Sequence, residues 1–380
     1  MENFIVTFDE IGTLDSIHQS LQSAIKKGAK ALTLLLPFGN NLSREVLDPV
    51  LQAVAIPLSG GLFPKIIFQN QILDQGMLLI AWQNDITITN YKNIECVDRV
   101  KDLVGITIPQ ERSNTLGEYL VFLDGTVPKL EETIDMLYKK NGFRAKFVGG
   151  GAGPISMEAL PCIITNEGLL SNTMQVVATN LPSKITVTHG WRKKSGPYLV
   201  TSTKNRTIKT LNYKPIVQIL KNFVEQDNDT STYNDNELLA SFNCYPLGLE
   251  NLDGDILIRN PVAFNDNEID YFGNIPEYSK VHIMQGSSAS LRKQIDIDLE
   301  EANIKTEKKV QAGFIFSTIC RDDSDTSGKS EELKVINNHL SSAKHIMGAL
   351  TLGSIATNKS GLLQLHNKSI VISQVGVNNP

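Results

Sequence analysis

The stretch YLVFLDG (Tyr119–Gly125), continued by PKLEETIDMLYKK (Pro128–Lys140), FVGGGAG (Phe147–Gly153) and EGLLSNTMQVVAT (Glu167–Thr179), decides how this chain folds. An apolar strand leads into an amphipathic helix, a glycine-rich strand follows, and a strand opened by another glycine closes the unit. The same design comes earlier as ALTLLLP (Ala31–Pro37), a helical stretch, IPLSGG (Ile56–Gly61) and QGMLLIAW (Gln75–Trp82). It returns as AGFIFSTIC (Ala312–Cys320), the helix SEELKVINNHLSSAKHIM (Ser330–Met347), GALTLGSIAT (Gly348–Thr357) and SGLLQLHNKSIVISQ (Ser360–Gln374). Copies spaced this widely imply duplicated layers of sheet and helix, not a solenoid of short units. The expected fold is α/β, or mixed α+β: strand-helix-strand-strand units forming mixed β-sheets layered with helices in two domains.

Around these repeats the pattern predicts further elements. A helix over Leu14–Lys27 buries Leu14, Ile17, Leu21, Ala24 and Ile25 and stops at Gly28. Residues Glu111–Gly117 read as a linker. After the second repeat comes a row of short strands with turns at Gly190, Ser195-Gly196 and Asn205, then a helix with Pro215 at its first position. The polar run Glu225–Glu237 places a domain boundary near Glu225, giving domains 1–224 and 225–380. A further helix is expected over Ala289–Ala302.

Composition excludes several function classes. A net charge of -5 with scattered Lys and Arg offers no nucleic-acid footprint. No apolar run reaches the roughly 20 residues that cross a bilayer, and the N-terminus lacks a signal-peptide pattern. Membrane insertion is therefore not expected. Cys96, Cys162, Cys244 and Cys320 form neither a disulfide framework nor a zinc spacing, which points to a reducing cytoplasm.

The order of VGGGAGP (Val148–Pro154), HGWRKKSGPYLVTSTKNRTIKTLNYKP (His189–Pro215), YPLG (Tyr245–Gly248), FIFSTICR (Phe314–Arg321), LTLGSIAT (Leu350–Thr357) and LHNKSIVI (Leu365–Ile372) resembles the FIST family. That family pairs an N-terminal and a C-terminal sensory domain, and the resemblance runs over nearly the whole chain. Its pattern usually carries Gly-Glu-Ile where this chain has Gly353-Ser354-Ile355, which separates this chain from any ligand read by that glutamate. The resemblance implies a cytoplasmic sensor of a small molecule such as an amino acid. No kinase, cyclase or methyl-accepting segment is legible after Val375. The implied output is a signalling partner in trans, such as a histidine kinase or chemoreceptor. Some relatives are implied to bind haem and respond to nitric oxide. Otherwise no cofactor is expected.

Candidate chemistry falls on a few side chains. Gly150 and Gly151 could offer backbone N–H groups to an anion, or simply admit a neighbouring element closely. Arg321 ends an apolar strand and could grip a carboxylate through two parallel hydrogen bonds, or form a structural ion pair. Arg259 and Tyr245 would suit a zwitterion, Arg259 taking the carboxylate and Tyr245 a second polar atom; ordinary sheet positions are the alternative. Trp191 could wall a pocket, His189 could donate a hydrogen bond or ligate iron, and Thr201 ends the next strand. A ligand cleft is expected at the strand ends carrying Arg321, Arg259 and the Gly150 loop.

Other signals point away from chemistry. Asp323, Asp325, Ser327 and Gly328 fit the opening of an EF-hand-like loop, but Lys334 stands where its glutamate is required. The histidines show no metal spacing. A hydrolase using Cys320 is the third reading after metabolite sensor and haem sensor, and no nucleophile–base pair supports it.

Overall fold

The computed structural model describes residues 3–96, 118–141, 145–179, 181–228, 234–251, 254–304, 310–319 and 326–376. The first repeat runs β1 (Phe4–Asp9), α1 (Leu14–Lys26), β2 (Ala31–Pro37), α2 (Arg44–Gln52), β3 (Leu58–Phe63), β4 (Lys65–Phe68), β5 (Gln71–Leu73) and β6 (Met77–Trp82). The second runs β7 (Thr87–Lys92), β8 (Glu118–Asp124), α3 (Leu130–Asn141), β9 (Lys146–Ala152), β10 (Ile163–Thr165), β11 (Gly168–Leu170) and β12 (Thr173–Ala178).

The third repeat starts at β13 (Ser183–Thr188), then leaves on a long excursion. That excursion holds β14 (Arg192–Lys204), β15 (Thr207–Leu211), β16 (Lys214–Pro215), α4 (Ile216–Asn228), α5 (Asp235–Cys244), β17 (Leu247–Glu250), β18 (Ile256–Arg259), β19 (Pro261–Phe264), β20 (Ile269–Tyr271) and β21 (Lys280–Gln285). The repeat resumes with α6 (Ser288–Ile304), β22 (Ala312–Thr318), α7 (Thr326–His339), β23 (His345–Thr351), β24 (Ser354–Thr357), β25 (Leu363–His366) and β26 (Ile370–Val375).

Each repeat builds a six-stranded sheet that it cannot finish alone. The orders are β1-β6-β2-β3-β10-β11, β25-β24-β9-β8-β12-β7 and β13-β26-β22-β23-β4-β5. The first repeat lends hairpin β4–β5 to the third, the third lends β24–β25 to the second, and the second lends β10–β11 to the first. The exchange closes into a ring of three sheets around a shared core, in which Phe122 packs on both Phe63 and Phe316. The excursion forms its own eight-stranded sheet with a separate core. The mixed α/β fold with sheets and helices in layers is present as expected.

The residue patterns explain the layers. In β2, β8 and β22 every residue is buried, as in strands covered on both faces. Each pairs in parallel with the strand that follows its helix. Within that second strand, one glycine per repeat takes a left-handed backbone: Gly60 at φ 135°, Gly149 at 159° and Gly348 at 159°. A Cβ there would lie 1.8, 1.9 and 1.7 Å from the carbonyl oxygens of Leu34, Val121 and Ile315. No side chain fits such a position.

Several sequence expectations shift in detail. α1 matches its prediction to within a residue and buries Ile17, Leu21 and Ala24, with Thr13 capping its start. The third helix ends at His339, and His345–Met347 open β23 instead. The expected turn at Ser195-Gly196 is a bulged stretch inside the continuous β14. Glu225 lies inside α4.

The junction between the second and third sheets buries a carboxyl group. Glu118 on β8 is 1 % exposed; Ser373 on β26 donates its hydroxyl to Oε2, and Oε1 has no partner among the described residues. Burial pushes its pKa up to about 7, against the neighbouring Ser183 and Ser373 hydroxyls and the charge of Lys146. Between pH 4.5, its ordinary value, and about 7 the folded chain holds a proton that the unfolded chain has lost. Stability therefore falls as pH rises through that window.

Two outcomes are expected. Gly149→Ala should cost several kcal/mol, on the order of 3 or more, because backbone on backbone cannot yield; thermal unfolding of the purified variant measures it. Glu118→Gln should flatten the loss of urea stability between about pH 5 and pH 7, a difference on the order of 1–3 kcal/mol.

Candidate functional site

The chain crosses from the three-sheet core to the excursion domain at His189–Trp191 and returns at Gly286 into α6. The two crossings lie side by side, since Arg192 pairs with Gln285 in the β14–β21 ladder. Gly190 and Trp191 make this junction work. A Cβ on Gly190 would meet the Ser290 carbonyl at 2.5 Å, so glycine lets the first turn of α6 approach. Trp191 is 9 % exposed; its indole N–H donates to the Lys368 carbonyl at 3.1 Å, and the Lys368 ammonium lies 5.3 Å from its ring centre.

Beside this junction opens a cleft of about 200 Å³. One wall comes from the core: Thr188 at the end of β13 and His189 after it, Gln294 and Asp298 on α6, and Asn358, Lys359, Gln364 and His366 of the β24–β25 hairpin. The other comes from Asn251, Asp255, Ile256 and Leu257 of the excursion domain, with Trp191 between them. Its charged groups are Asp255 and Asp298 against Lys359, so it offers both signs to a small polar molecule.

Two buried polar atoms in the cleft wall lack partners among the described residues: Thr188 Oγ1 and His366 Nε2. His366 is 6 % exposed; burial, and next the nearby Arg259 charge, lower its pKa to about 3. Its ring is therefore neutral at physiological pH. His189 is committed differently: Nε2 lies 3.1 Å from the Ile256 carbonyl and Nδ1 accepts from the Trp191 N–H at 3.3 Å.

A buried ion pair sets the orientation of the two bodies. Arg259, at the end of β18, is 3 % exposed. It reaches out of the excursion domain to Glu131 on α3 at 2.5 Å and to the Leu365 carbonyl at 3.2 Å, while Nε holds the Asn274 carbonyl at 3.1 Å. Glu131 also accepts from the Asn274 N–H. Burial raises the Glu131 pKa, opposed by Arg259 and that N–H.

The residues singled out in the sequence separate in space. His189 and Trp191 line the cleft. Arg259 stands behind it, with its guanidinium engaged as a tie between the bodies instead of open to a carboxylate. Tyr245 is buried in the excursion core, stacked edge-on to Phe223 and donating its hydroxyl to Asp227 at 2.6 Å. Thr201 pairs with Thr210 at 2.7 Å on the excursion sheet. Gly150 and Gly151 lie in the core, pressed against Thr351 and Leu352, and the Gly151 N–H donates to the Gly353 carbonyl at 2.9 Å. Arg321, Cys320, Asp323 and Asp325 lie outside the described residues.

Sequence reasoning missed Asp255, Asp298, Lys359, Gln364 and the role of His366. They come from separate elements, and no spacing links them.

A cleft of about 200 Å³ lies below the roughly 300–1,000 Å³ of drug-sized pockets. Among the described residues no cluster of three His, Cys, Asp or Glu could hold a metal ion. Burial pushes the Cys162 thiol up, which makes it a poor nucleophile. No helix among the described residues is long and apolar enough to cross a membrane.

Comparison with protein families gives two adjacent matches. The FIST N domain matches residues 28–214 and the FIST C domain matches residues 217–357. No curated protein matches the chain.

Arg259→Met should destabilise the protein by about 3–5 kcal/mol, because it leaves the Glu131 carboxyl buried without its cation. Arg259→Met combined with Glu131→Met should recover most of that loss. Chemical denaturation of the three proteins tests the pair.

Proposed function

Because this chain belongs to the FIST family of tandem sensory domains, we propose that it senses a small polar metabolite such as an amino acid in the cleft beside Trp191. FIST domains are sensory domains of signal transduction. The finer reading rests on one observation: the cleft takes its walls from two bodies that meet at paired chain crossings. A ligand bridging those walls makes contacts available in only one relative arrangement, so binding shifts the population toward it.

In this reading Asp298 on the core wall and Asp255 on the facing wall take a cationic amine, and Lys359 on the core wall takes an anionic group. Trp191 packs against the ligand's carbon skeleton, and His189 holds the junction through Ile256. Thr188 Oγ1 and His366 Nε2 support the same idea, since a buried polar atom without a partner favours the arrangement that supplies one. The neutral His366 offers an acceptor lone pair without adding charge. The output is a changed surface presented to a separate signalling protein in the cytoplasm, such as a histidine kinase or chemoreceptor.

Fluorescence gives a direct test, because the chain has 2 tryptophans and Trp82 is fully buried away from the cleft. Titration with an amino-acid panel should raise the melting temperature for at least one compound and change tryptophan emission. Trp191→Phe should abolish the emission change, and Asp298→Ala should weaken binding about tenfold or more. A panel without any stabilising compound, or binding indifferent to both substitutions, refutes the assignment.

A further inference from the structure

Two tyrosines of the excursion domain stand where turn geometry asks for glycine. β15 returns to β16 through Asn212 and Tyr213, whose φ angles are 49° and 64°. Successive left-handed residues make the hairpin turn that prefers Asn-Gly. The turn Pro276–Ser279 puts Tyr278 at φ 62°, again a position that favours glycine. Both side chains are exposed, at 81 % for Tyr213 and 72 % for Tyr278.

Both turns fasten to the same short run of β14. The Tyr213 N–H donates to Thr201 Oγ1 at 2.9 Å, and the Tyr278 N–H donates to the Val200 carbonyl at 2.8 Å. Asn212 and Leu199 exchange hydrogen bonds, N–H to carbonyl at 2.8 Å and N–H to Oδ1 at 2.8 Å. Leu199 is itself exposed, so an aliphatic side chain and two exposed tyrosines are carried on one short stretch of β14 and the turns fastened to it.

Folding does not account for this arrangement. A bulky residue at positive φ is strained, and a ring in solvent adds nothing to a core. Recognition does account for it, because tyrosine contributes large contact area at low conformational cost and is enriched in binding hot spots. We propose that Tyr213, Leu199 and Tyr278 form the centre of a two-fold contact between two copies of this chain.

The flanking charges select a second copy as the occupant. Lys214 follows Tyr213 and Glu277 precedes Tyr278, and both are exposed. Lys280, opposite Leu199 in the ladder, is already paired with Glu250 at 2.5 Å. One end of the patch is therefore positive and the other negative. A two-fold axis near Leu199 exchanges those ends, setting Lys214 of each copy against Glu277 of the other. A patch of one sign would instead call for an oppositely charged partner.

Sedimentation velocity of the full chain over a range of micromolar concentrations tests the contact. The expected result is a concentration-dependent dimer. Tyr213→Gly with Tyr278→Gly should weaken it about tenfold or more, while the melting temperature of the protomer holds or rises as the backbone strain is relieved. Glu277→Lys should weaken the dimer, and adding Lys214→Glu should restore it. A monomer at every concentration overturns the proposal, including one whose patch captures a different protein. So does a dimer indifferent to the tyrosine variants, or a charge exchange without recovery.

Discussion

Close approach of backbone to backbone beneath Gly60, Gly149 and Gly348 is the constraint on which the molecule depends. At each point the parallel neighbour's carbonyl occupies the space of a side chain. Three residues further on, each strand ends and its chain turns into the hairpin given to another sheet. The left-handed glycine thus sits where a strand serves its own sheet and is about to leave it. Because the same solution appears in all three repeats, the sheets can close on one another with equivalent geometry. Their common interior is then filled by Phe63, Phe122 and Phe316.

The cleft arises where this three-fold pattern is broken. In the first repeat, β1 passes directly to α1; in the third, the chain leaves β13, builds an entire domain, and only then forms α6. Two crossings at Trp191 and Gly286 carry that domain, and the Arg259–Glu131 pair ties its far side to α3. Asn274 bonded to Glu132 and Asn367 bonded to the Phe272 carbonyl add to that tie. Arg259 serves twice, holding the bodies together and lowering the pKa of His366 in the cleft wall. One side chain thus contributes both to the orientation of the domain and to the electrostatics of the cleft.

Much of the architecture could be read from the chain because local pattern and burial agree. Continuous apolar runs such as Leu120–Leu123 and Phe314–Phe316 can only be strands covered on both faces. Helix α1 announces itself by its apolar face and its stop at Gly28. The hairpin exchange was not legible, because Ile66, Ile163 and Ile355 look like ordinary strand residues whichever sheet they join. The site was half legible. His189-Gly190-Trp191 stands out as a junction, whereas Asp255, Asp298 and Lys359 are surface-type residues that tertiary structure alone brings together. Arg259 carried a true signal of importance, but a guanidinium at a strand end reads the same whether it meets a ligand or a glutamate.

The closed exchange also governs when the protein can become whole during synthesis. Hairpin β4–β5 emerges early, yet its partner β23 belongs to the last part of the chain. Until the ribosome has delivered Met347 to Leu350, the apolar Ile66 and Ile67 have no strand to pair with beyond their own hairpin. Nascent chains of this kind spend a long interval with sticky edges uncovered. Such a protein calls for chaperone shelter during translation, and its yield in a cell should depend on how quickly the C-terminal strands arrive.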